Sequence, residues 1–202
     1  MLTREVARAE GVAGGFSAIY PVLRAMEESG KIRRGYFVEG LGAAQFAQPG
    51  AEDRLRLPVD PESTPRERTR LLAATDPANP YGAGLSWPKI EGARGPPERP
   101  MRAVGASVLL FEGELVAFIG RTGQTLMSFL PEDEPRRGQA AEGLAAALVD
   151  SGDALHGLTL TAIDGDEPGL SPLAAALRRA GFLPSARGYV FKPGGEDRHA
   201  RR

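Results

Sequence analysis

The sequence predicts an α+β fold in two parts, a small helical unit with a hairpin followed by a larger, antiparallel-rich unit. Three observations predict it. Near the amino end, large apolar side chains recur with the period of a helix and a strand–turn–strand pattern follows. Over the last hundred residues, short apolar strands alternate with glycine turns and two helical segments. The stretch between is rich in proline, which indicates a connecting segment.

These patterns set the expected boundaries. We predict a first unit over residues 1–56, a Pro-rich connection over 57–100, an α+β unit over 101–193 and a disordered tail over 194–202. With 42% hydrophobic residues, the 202-residue chain can bury a core. It has no cysteine, which excludes disulfides, zinc–thiolate sites and a cysteine nucleophile.

The first unit begins with a short helical pattern over residues 2–9 and a glycine-rich break over 11–15. A second helix follows, with apolar side chains at helical spacing on one face: Phe16, Ile19, Tyr20, Leu23 and Met26. Residues 31–46 then read as a hairpin. Helix, turn, longer helix and hairpin is the order of a winged helix-turn-helix, whose second helix reads DNA and whose wing lies along the backbone.

One element of a complete winged helix is missing from this pattern, the helix that covers the back of the pair. We therefore expect Phe16, Ile19 and Leu23 to be partly uncovered, at about 1.5–3 kcal/mol for each large side chain left in water. This partial winged helix leads to the hypothesis that the sequence is a segment of a longer protein.

The second unit is predicted to have the element order βββαβαβ, an antiparallel-rich half-barrel. In the proline-rich segment, residues 67–74 are predicted as a helical turn or two, residues 75–82 as a fixed loop and residues 91–99 as a surface linker. The strands and helices of the second unit are predicted over residues 104–110, 115–120, 125–130, 139–148, 158–163, 173–180 and 188–191.

Charge and hydropathy restrict the partners. The net charge of −1 argues against a protein that binds DNA through a general basic excess, so any DNA contact must use a local patch. The apolar stretches are too short for a membrane span, and no apolar leader follows Met1. We expect a cytoplasmic protein with no membrane partner.

The basic residues of the first unit form one cluster, which could contact phosphates from the helix and the wing. The alternative is a solvated face balanced by Glu27 and Glu28. The cluster consists of Arg24, Lys31, Arg33 and Arg34.

The start of the second helix offers another candidate contact. There, Gly15 and Ser17 could hold a phosphate through backbone N–H groups, or the glycines could serve only tight helix packing. In the wing strand, one of Tyr36 and Phe37 should face the core and the other solvent. The exposed ring could stack on an unpaired base, although core packing is the usual role of such aromatics.

Several motifs together resemble one family, the Lhr (large helicase-related) family of ATP-dependent DNA helicases, and in particular its C-terminal region. The resemblance covers nearly the whole chain. It rests on residues 3–5, 10–11, 14–16, 20–24, 33–42, 45–47, 75–82, 87–88, 105–118 and 188–189.

This resemblance implies a superfamily 2 helicase with two RecA-like motor domains and a long extension of tandem winged helices and a β-barrel-like module. It implies DNA, single-stranded or duplex, and the preceding winged-helix domains as partners, with a role in DNA repair. The chain has no G-x-x-x-x-G-K-[ST] loop and no acidic Mg²⁺ box. We therefore expect no cofactor in this chain, with ATP and Mg²⁺ bound by the motor domains of the parent protein.

Uracil glycosylase activity is associated with some extensions of this family, which makes Asp76 a candidate catalytic residue beside Asn79 and Tyr81. The alternative is a turn in which Asp76 caps its own backbone. The two histidines, His156 and His199, have no neighbouring carboxylates at metal-ligand spacing, so no metal site is expected.

Three functions follow as hypotheses. The leading one is a nucleic-acid-binding and scaffolding segment of an Lhr-type helicase. The second is a DNA glycosylase module acting on uracil or a damaged base. The third, which the near-neutral charge favours, is a structural module that could form oligomers.

Overall fold

The computed structural model describes residues 1–38, 41, 44–57, 60, 62–88, 99–154 and 157–193. The chain divides into two compact units, one formed by Met1–Pro61 with Pro80–Trp87 and the other by Glu62–Asn79 with Pro88–Arg202. Most of the surface linker predicted over residues 91–99 lies outside the described residues, as do the tail over residues 194–202 and both histidines. The domain boundaries proposed from the sequence stay predictions.

The first unit opens with two helices joined by a glycine turn. Helix α1 (Arg4–Ala9) begins at Thr3, whose hydroxyl accepts the N–H of Val6 at 3.2 Å. Helix α2 (Gly15–Glu28) follows Gly14, which has a φ of 74°. A Cβ on Gly14 would lie 2.8 Å from the Cβ of Ala18, so both the backbone conformation and the close approach require glycine.

Three aromatic rings pack together in the core of the first unit. Phe16 and Tyr20 on α2 lie 5.8 Å apart, and Tyr20 meets Phe46 at 6.2 Å between ring centroids. Phe46 also exchanges two backbone hydrogen bonds with Leu2, at 2.7 and 2.9 Å. This bridge brings the start of the chain over the α2 face.

The expectation of a partly uncovered α2 face is confirmed for Ile19 and Leu23 and wrong for Phe16. Ile19 and Leu23 are only half-buried, as are Tyr20 and Met26. Phe16 is buried because the rings of Tyr20 and Phe46 pack against it, together with α1.

A short hairpin follows α2, as predicted. Strands β1 (Arg33–Gly35) and β2 (Gln45–Ala47) pair antiparallel, with Arg34 opposite Phe46. Residues 39, 40, 42 and 43, in the loop between the strands, lie outside the described residues. Helix α3 (Ala51–Leu55) then begins at Gly50, whose φ is 83°; the sequence pattern does not predict this helix.

The second unit contains a five-stranded sheet in the order β3-β4-β5-β6-β8 and a three-stranded sheet in the order β7-β10-β9. All described pairings are antiparallel except β6 with β8. The α+β class with antiparallel-rich sheets is therefore confirmed. The strands are β3 (Thr69–Ala73), β4 (Ser107–Phe111), β5 (Glu114–Ile119), β6 (Thr125–Ser128), β7 (Leu158–Leu160), β8 (Ala162–Ile163), β9 (Leu183–Ser185) and β10 (Gly188–Phe191).

The helical prediction for residues 67–74 is wrong, because most of this stretch is strand β3. It pairs along the whole of β4, from Thr69 opposite Phe111 to Ala73 opposite Ser107. A turn precedes the strand, and in it the Glu67 carboxylate accepts hydrogen bonds from the N–H and the hydroxyl of Thr64, each at 2.8 Å. These two hydrogen bonds lower the pKa of the Glu67 carboxyl.

Helix α4 (Arg136–Ala154) packs against β3, β4 and β5, and helix α5 (Ala174–Arg179) packs against α4. Gly143 allows the closest approach, since a Cβ there would lie 2.1 Å from the hydroxyl oxygen of Thr69 and 2.6 Å from the carbonyl oxygen of Pro65. The fully buried large side chains of this unit are Leu109, Phe111, Phe118, Leu126, Leu144, Leu148, Leu160, Ile163, Leu173, Leu177 and Phe182.

Candidate nucleic-acid interface

The exposed face of α2 mixes small or apolar residues with one ion pair, that of Arg24 with Glu28. Val22 is 59% exposed, and Pro21 and Ala18 are exposed beside it. Pro21 lies in the second helical turn, and it offers no backbone N–H. Ser17 and Arg24 are the exposed side chains of this helix with hydrogen-bond donors, so the helix presents few groups that could read base edges.

The glycine turn before α2 uses one of its backbone donors internally. The N–H of Gly15 donates to the carbonyl of Val12 at 2.8 Å, and Gly14 gives the helix no side-chain cap. A phosphate at this turn would have to use N–H groups that follow Gly15, such as that of Ser17. The roles assigned to Gly15 and Ser17 stay predictions.

The basic cluster is largely paired with carboxylates of the same unit. Arg24 meets Glu28 at 2.9 Å within α2, which leaves Lys31 as the member with an exposed side chain and no such pair among the described residues.

On the wing, Arg33 Nη1 meets Glu52 Oε1 at 2.7 Å. Arg34 Nε lies 3.3 Å from Glu27 Oε1, and its Nη1 donates to the Tyr20 hydroxyl at 3.3 Å.

These pairs do not remove the arginines from a role in binding. The side chains of Arg33 and Arg34 stay 64% and 46% exposed. Ion pairs at such exposure contribute about 0–1 kcal/mol, and a guanidinium has five N–H donors. A phosphate can therefore contact the outer donors while the ion pairs stay in place.

The wing is held in shape by a buried amide, that of Gln45. Gln45 Oε1 accepts the N–H groups of Phe37 and Val38, each at 2.9 Å. Its Nε2 donates to the carbonyls of Val38, at 2.8 Å, and Leu41. Just beyond β1 the backbone is no longer paired with β2, and the Gln45 side chain supplies the hydrogen bonds that a neighbouring strand would otherwise make.

The two wing aromatics divide as the alternation predicted. Phe37 is half-buried beside Gly35, while Tyr36 is 81% exposed. Tyr36 borders an open cleft of about 370 Å³ between the wing and α3, here named the wing cleft. Its lining consists of Arg33, Arg34, Gly35, Tyr36, Phe37, Glu52, Leu55 and Arg56.

The loop that carries Asp76 is a braced turn. Asp76 Oδ1 accepts the N–H of Ala78 at 2.7 Å, and the buried Asn79 donates through Nδ2 to the carbonyl of Ala74 at 2.8 Å. Arg102 donates to three backbone carbonyls of the loop, those of Thr75, Asp76 and Asn79. Tyr81 is counted with the first unit, where its ring stacks on Trp87 at 6.2 Å.

The turn geometry predicts different results for two substitutions. Asp76→Asn should change the free energy of unfolding by less than about 0.5 kcal/mol, because an Asn oxygen can accept the same N–H. Asn79→Ala should lower it by about 1–3 kcal/mol, because the amide that bonds the Ala74 carbonyl is lost. Urea denaturation followed by far-ultraviolet circular dichroism compares the two variants. An equal loss for both would contradict the turn interpretation.

Within the described part of the chain, no helix is both long and apolar enough to cross a membrane. The same residues contain no group of three acidic or histidine side chains placed to hold a metal ion.

Comparison with known proteins agrees with the fold and the wing. Residues 1–67 match the family model for the winged-helix domain of the large helicase-related protein. The chain is 48% identical to the "Lhr helicase/ probable uracil glycosylase" of Mycolicibacterium smegmatis over 155 residues, which is 75% of this chain and 10% of that protein. It is 34% identical to the "Lhr helicase/uracil glycosylase" of Escherichia coli over 189 residues, 93% of this chain and 12% of that protein.

The chain therefore spans about a tenth of the length of the curated relatives it matches. The family model covers the winged helix, the two relatives cover 75% and 93% of the chain, and all three belong to one family. The chain belongs to the Lhr (large helicase-related) family and corresponds to its C-terminal region.

Proposed function

We propose that this chain is a nucleic-acid-binding and scaffolding segment of an Lhr-type ATP-dependent DNA helicase that acts in DNA repair. The observation that carries the proposal is the winged helix with two exposed arginines on its wing, Arg33 and Arg34. In this proposal the motor, with its ATP and Mg²⁺, lies in other domains of the parent protein.

The electrostatics of the first unit fit a contact to the DNA backbone. The chain carries a net charge of −1, so long-range attraction to DNA is weak and the contact depends on local arginines. The face of α2 offers few groups for base readout, because beside Ser17, Arg24 and Glu28 its exposed residues are Ala, Pro and Val. We infer binding that is salt-dependent and nearly independent of sequence.

Neutralising Arg33 and Arg34 together, as Arg33→Gln with Arg34→Gln, is expected to weaken DNA binding. The plot of log K against log salt should become shallower by about 2, because two phosphate contacts are lost. Fluorescence anisotropy with a labelled oligonucleotide, repeated at several salt concentrations, measures both quantities.

The matched control changes two arginines of the second unit that also pair with carboxylates, Arg66 and Arg179, to glutamine. Both are exposed to a similar extent as the wing arginines. The control should bind DNA as the unmodified chain does. If the two double variants lose affinity equally, the effect is one of net charge and the wing has no special role.

The scaffolding part of the proposal rests on the half-buried side chains of α2, Ile19, Leu23 and Met26. We infer that a preceding winged-helix domain of the parent protein covers them. Hydrogen exchange of α2 should slow in a longer polypeptide that includes that domain. Unchanged exchange would contradict the scaffolding role and leave DNA binding by the wing as the proposed function of the unit. Oligomerisation of the chain stays a prediction.

Uracil excision is the second candidate, and it is favoured by the names of both relatives. Asp76 is its candidate residue in this chain, although its carboxylate already caps the turn. Incubating the chain with a uracil-containing single strand, followed by alkaline cleavage, tests the idea. Base release that is lost in Asp76→Asn would support it, and no release by the unmodified chain would exclude it for this segment.

A further inference from the structure

We propose that the wing cleft binds one unpaired nucleotide of single-stranded nucleic acid, with its base stacked on Tyr36 and its phosphate held by Arg33 and Arg56. This inference rests on the proposed function and deepens it, because it names the form of nucleic acid that the wing selects.

The first support is the exposure of Tyr36. At 81% it is the most exposed aromatic side chain among the described residues, although its neighbour Phe37 packs half-buried beside it. A wing that only follows a duplex backbone needs donors for phosphates and no exposed ring. A ring open on its face is what stacking on an unpaired base requires, and stacking accepts every base.

The second support is the charge around the ring. Three arginines line the cleft, Arg33, Arg34 and Arg56, against one carboxylate, that of Glu52. Arg33 and Arg34 are paired with Glu52 and Glu27 but stay 64% and 46% exposed, so further N–H donors remain for a phosphate. Arg56 is 77% exposed, and its ion pair with Asp53, at 3.9 Å, is the longest described in this unit. It is the arginine most free to move toward a phosphate.

The size of the cleft favours one nucleotide over a duplex. Its volume of about 370 Å³ is near the lower end of small-molecule sites, roughly 300–1,000 Å³. In a duplex the faces of the bases are stacked on one another, so Tyr36 could not reach them. A single strand presents the face of a base, its edge and its phosphate together.

The test compares the full chain with Tyr36→Ala and Tyr36→Phe, each titrated with a labelled single strand and with a duplex of the same sequence. The unmodified chain should prefer the single strand. Tyr36→Ala should lose roughly 10- to 100-fold in affinity for the single strand and keep its affinity for the duplex. Tyr36→Phe should retain the single-strand affinity, because the ring remains.

A second readout reports stacking directly. A single strand carrying 2-aminopurine should lose fluorescence on binding to the unmodified chain and to Tyr36→Phe, and keep it with Tyr36→Ala. Leu183→Ala, an exposed apolar residue of the second unit, is the control and should behave as the unmodified chain. Trp87 fluorescence, which reports on the first unit, checks that Tyr36→Ala remains folded.

The outcomes separate this inference from the proposed function. Binding that depends on Arg33 and Arg34 but not on Tyr36, or that falls equally for single strand and duplex in Tyr36→Ala, overturns the nucleotide site alone. Absence of any DNA binding by the unmodified chain overturns both. A selective single-strand loss, rescued by Tyr36→Phe, supports the site.

Discussion

Replacing Gln45 with alanine is expected to lower the free energy of unfolding of the first unit by about 3 kcal/mol and to release the wing. The Gln45 amide bonds two backbone N–H groups and two carbonyls of the wing, and its side chain is buried. Alanine would leave these groups without their partner in a site that water enters poorly, and each such group costs about 1–3 kcal/mol. Partial relaxation of the loop keeps the total below the sum.

The single tryptophan of the chain lies in the first unit, so its fluorescence in a urea titration follows that unit. The control is Gln48→Ala, a substitution of the same type at an exposed position close by in the sequence. It should change the midpoint little. If Gln45→Ala is as mild as Gln48→Ala, the wing is held by other contacts and the role given to Gln45 is wrong.

Replacing Gly143 with alanine is expected to destabilise the second unit by about 2–3 kcal/mol. Alanine favours a helix over glycine by about 1 kcal/mol, so propensity alone predicts the opposite sign. The new methyl would collide with the Thr69 hydroxyl and with the backbone carbonyl of Pro65, which cannot turn aside as a side chain can. Helix α4 would have to move away from β3, opening the sheet–helix contact.

Gly138→Ala in the same helix is the matched control. Its added methyl would meet only the end of the Glu134 side chain, at 3.2 Å, and that flexible group can shift. We expect it to be neutral or to stabilise by a few tenths of a kcal/mol up to about 1 kcal/mol. Thermal unfolding followed by circular dichroism measures both variants. A stabilised Gly143→Ala would show that α4 does not press on Thr69 as described.

The sequence predicts well those elements whose pattern is local. The helical spacing from Phe16 to Met26 gave α2, and the hairpin over residues 31–46 was found from alternation and glycine. Strand β3 was not found, because its partner β4 lies more than thirty residues further along the chain. Its sequence, Thr-Arg-Leu-Leu-Ala, suits a helix equally well, so only pairing across the sheet decides its state.

The candidate interface was predicted in part. Charge alone pointed to Arg33 and Arg34, and the alternation pointed to an exposed ring at Tyr36 or Phe37. Glu52 and Arg56 were missed because the short helix that positions them was missed. The sequence does contain a helix-start signal there, a glycine at position 50 followed by the acidic residues Glu52 and Asp53 in the first turn. A five-residue helix has too few turns for periodicity to reveal it.

The solvent face of α2 also bears on selectivity. Its methyl groups and proline ring can touch a thymine methyl but cannot match the donors and acceptors that distinguish one base pair from another, and Arg24 alone could read a single guanine. On the proposed function, the unit would therefore bind DNA of different sequences with similar affinity. Occupancy across a genome would follow strand form and ionic strength, and the order of the bases would matter little.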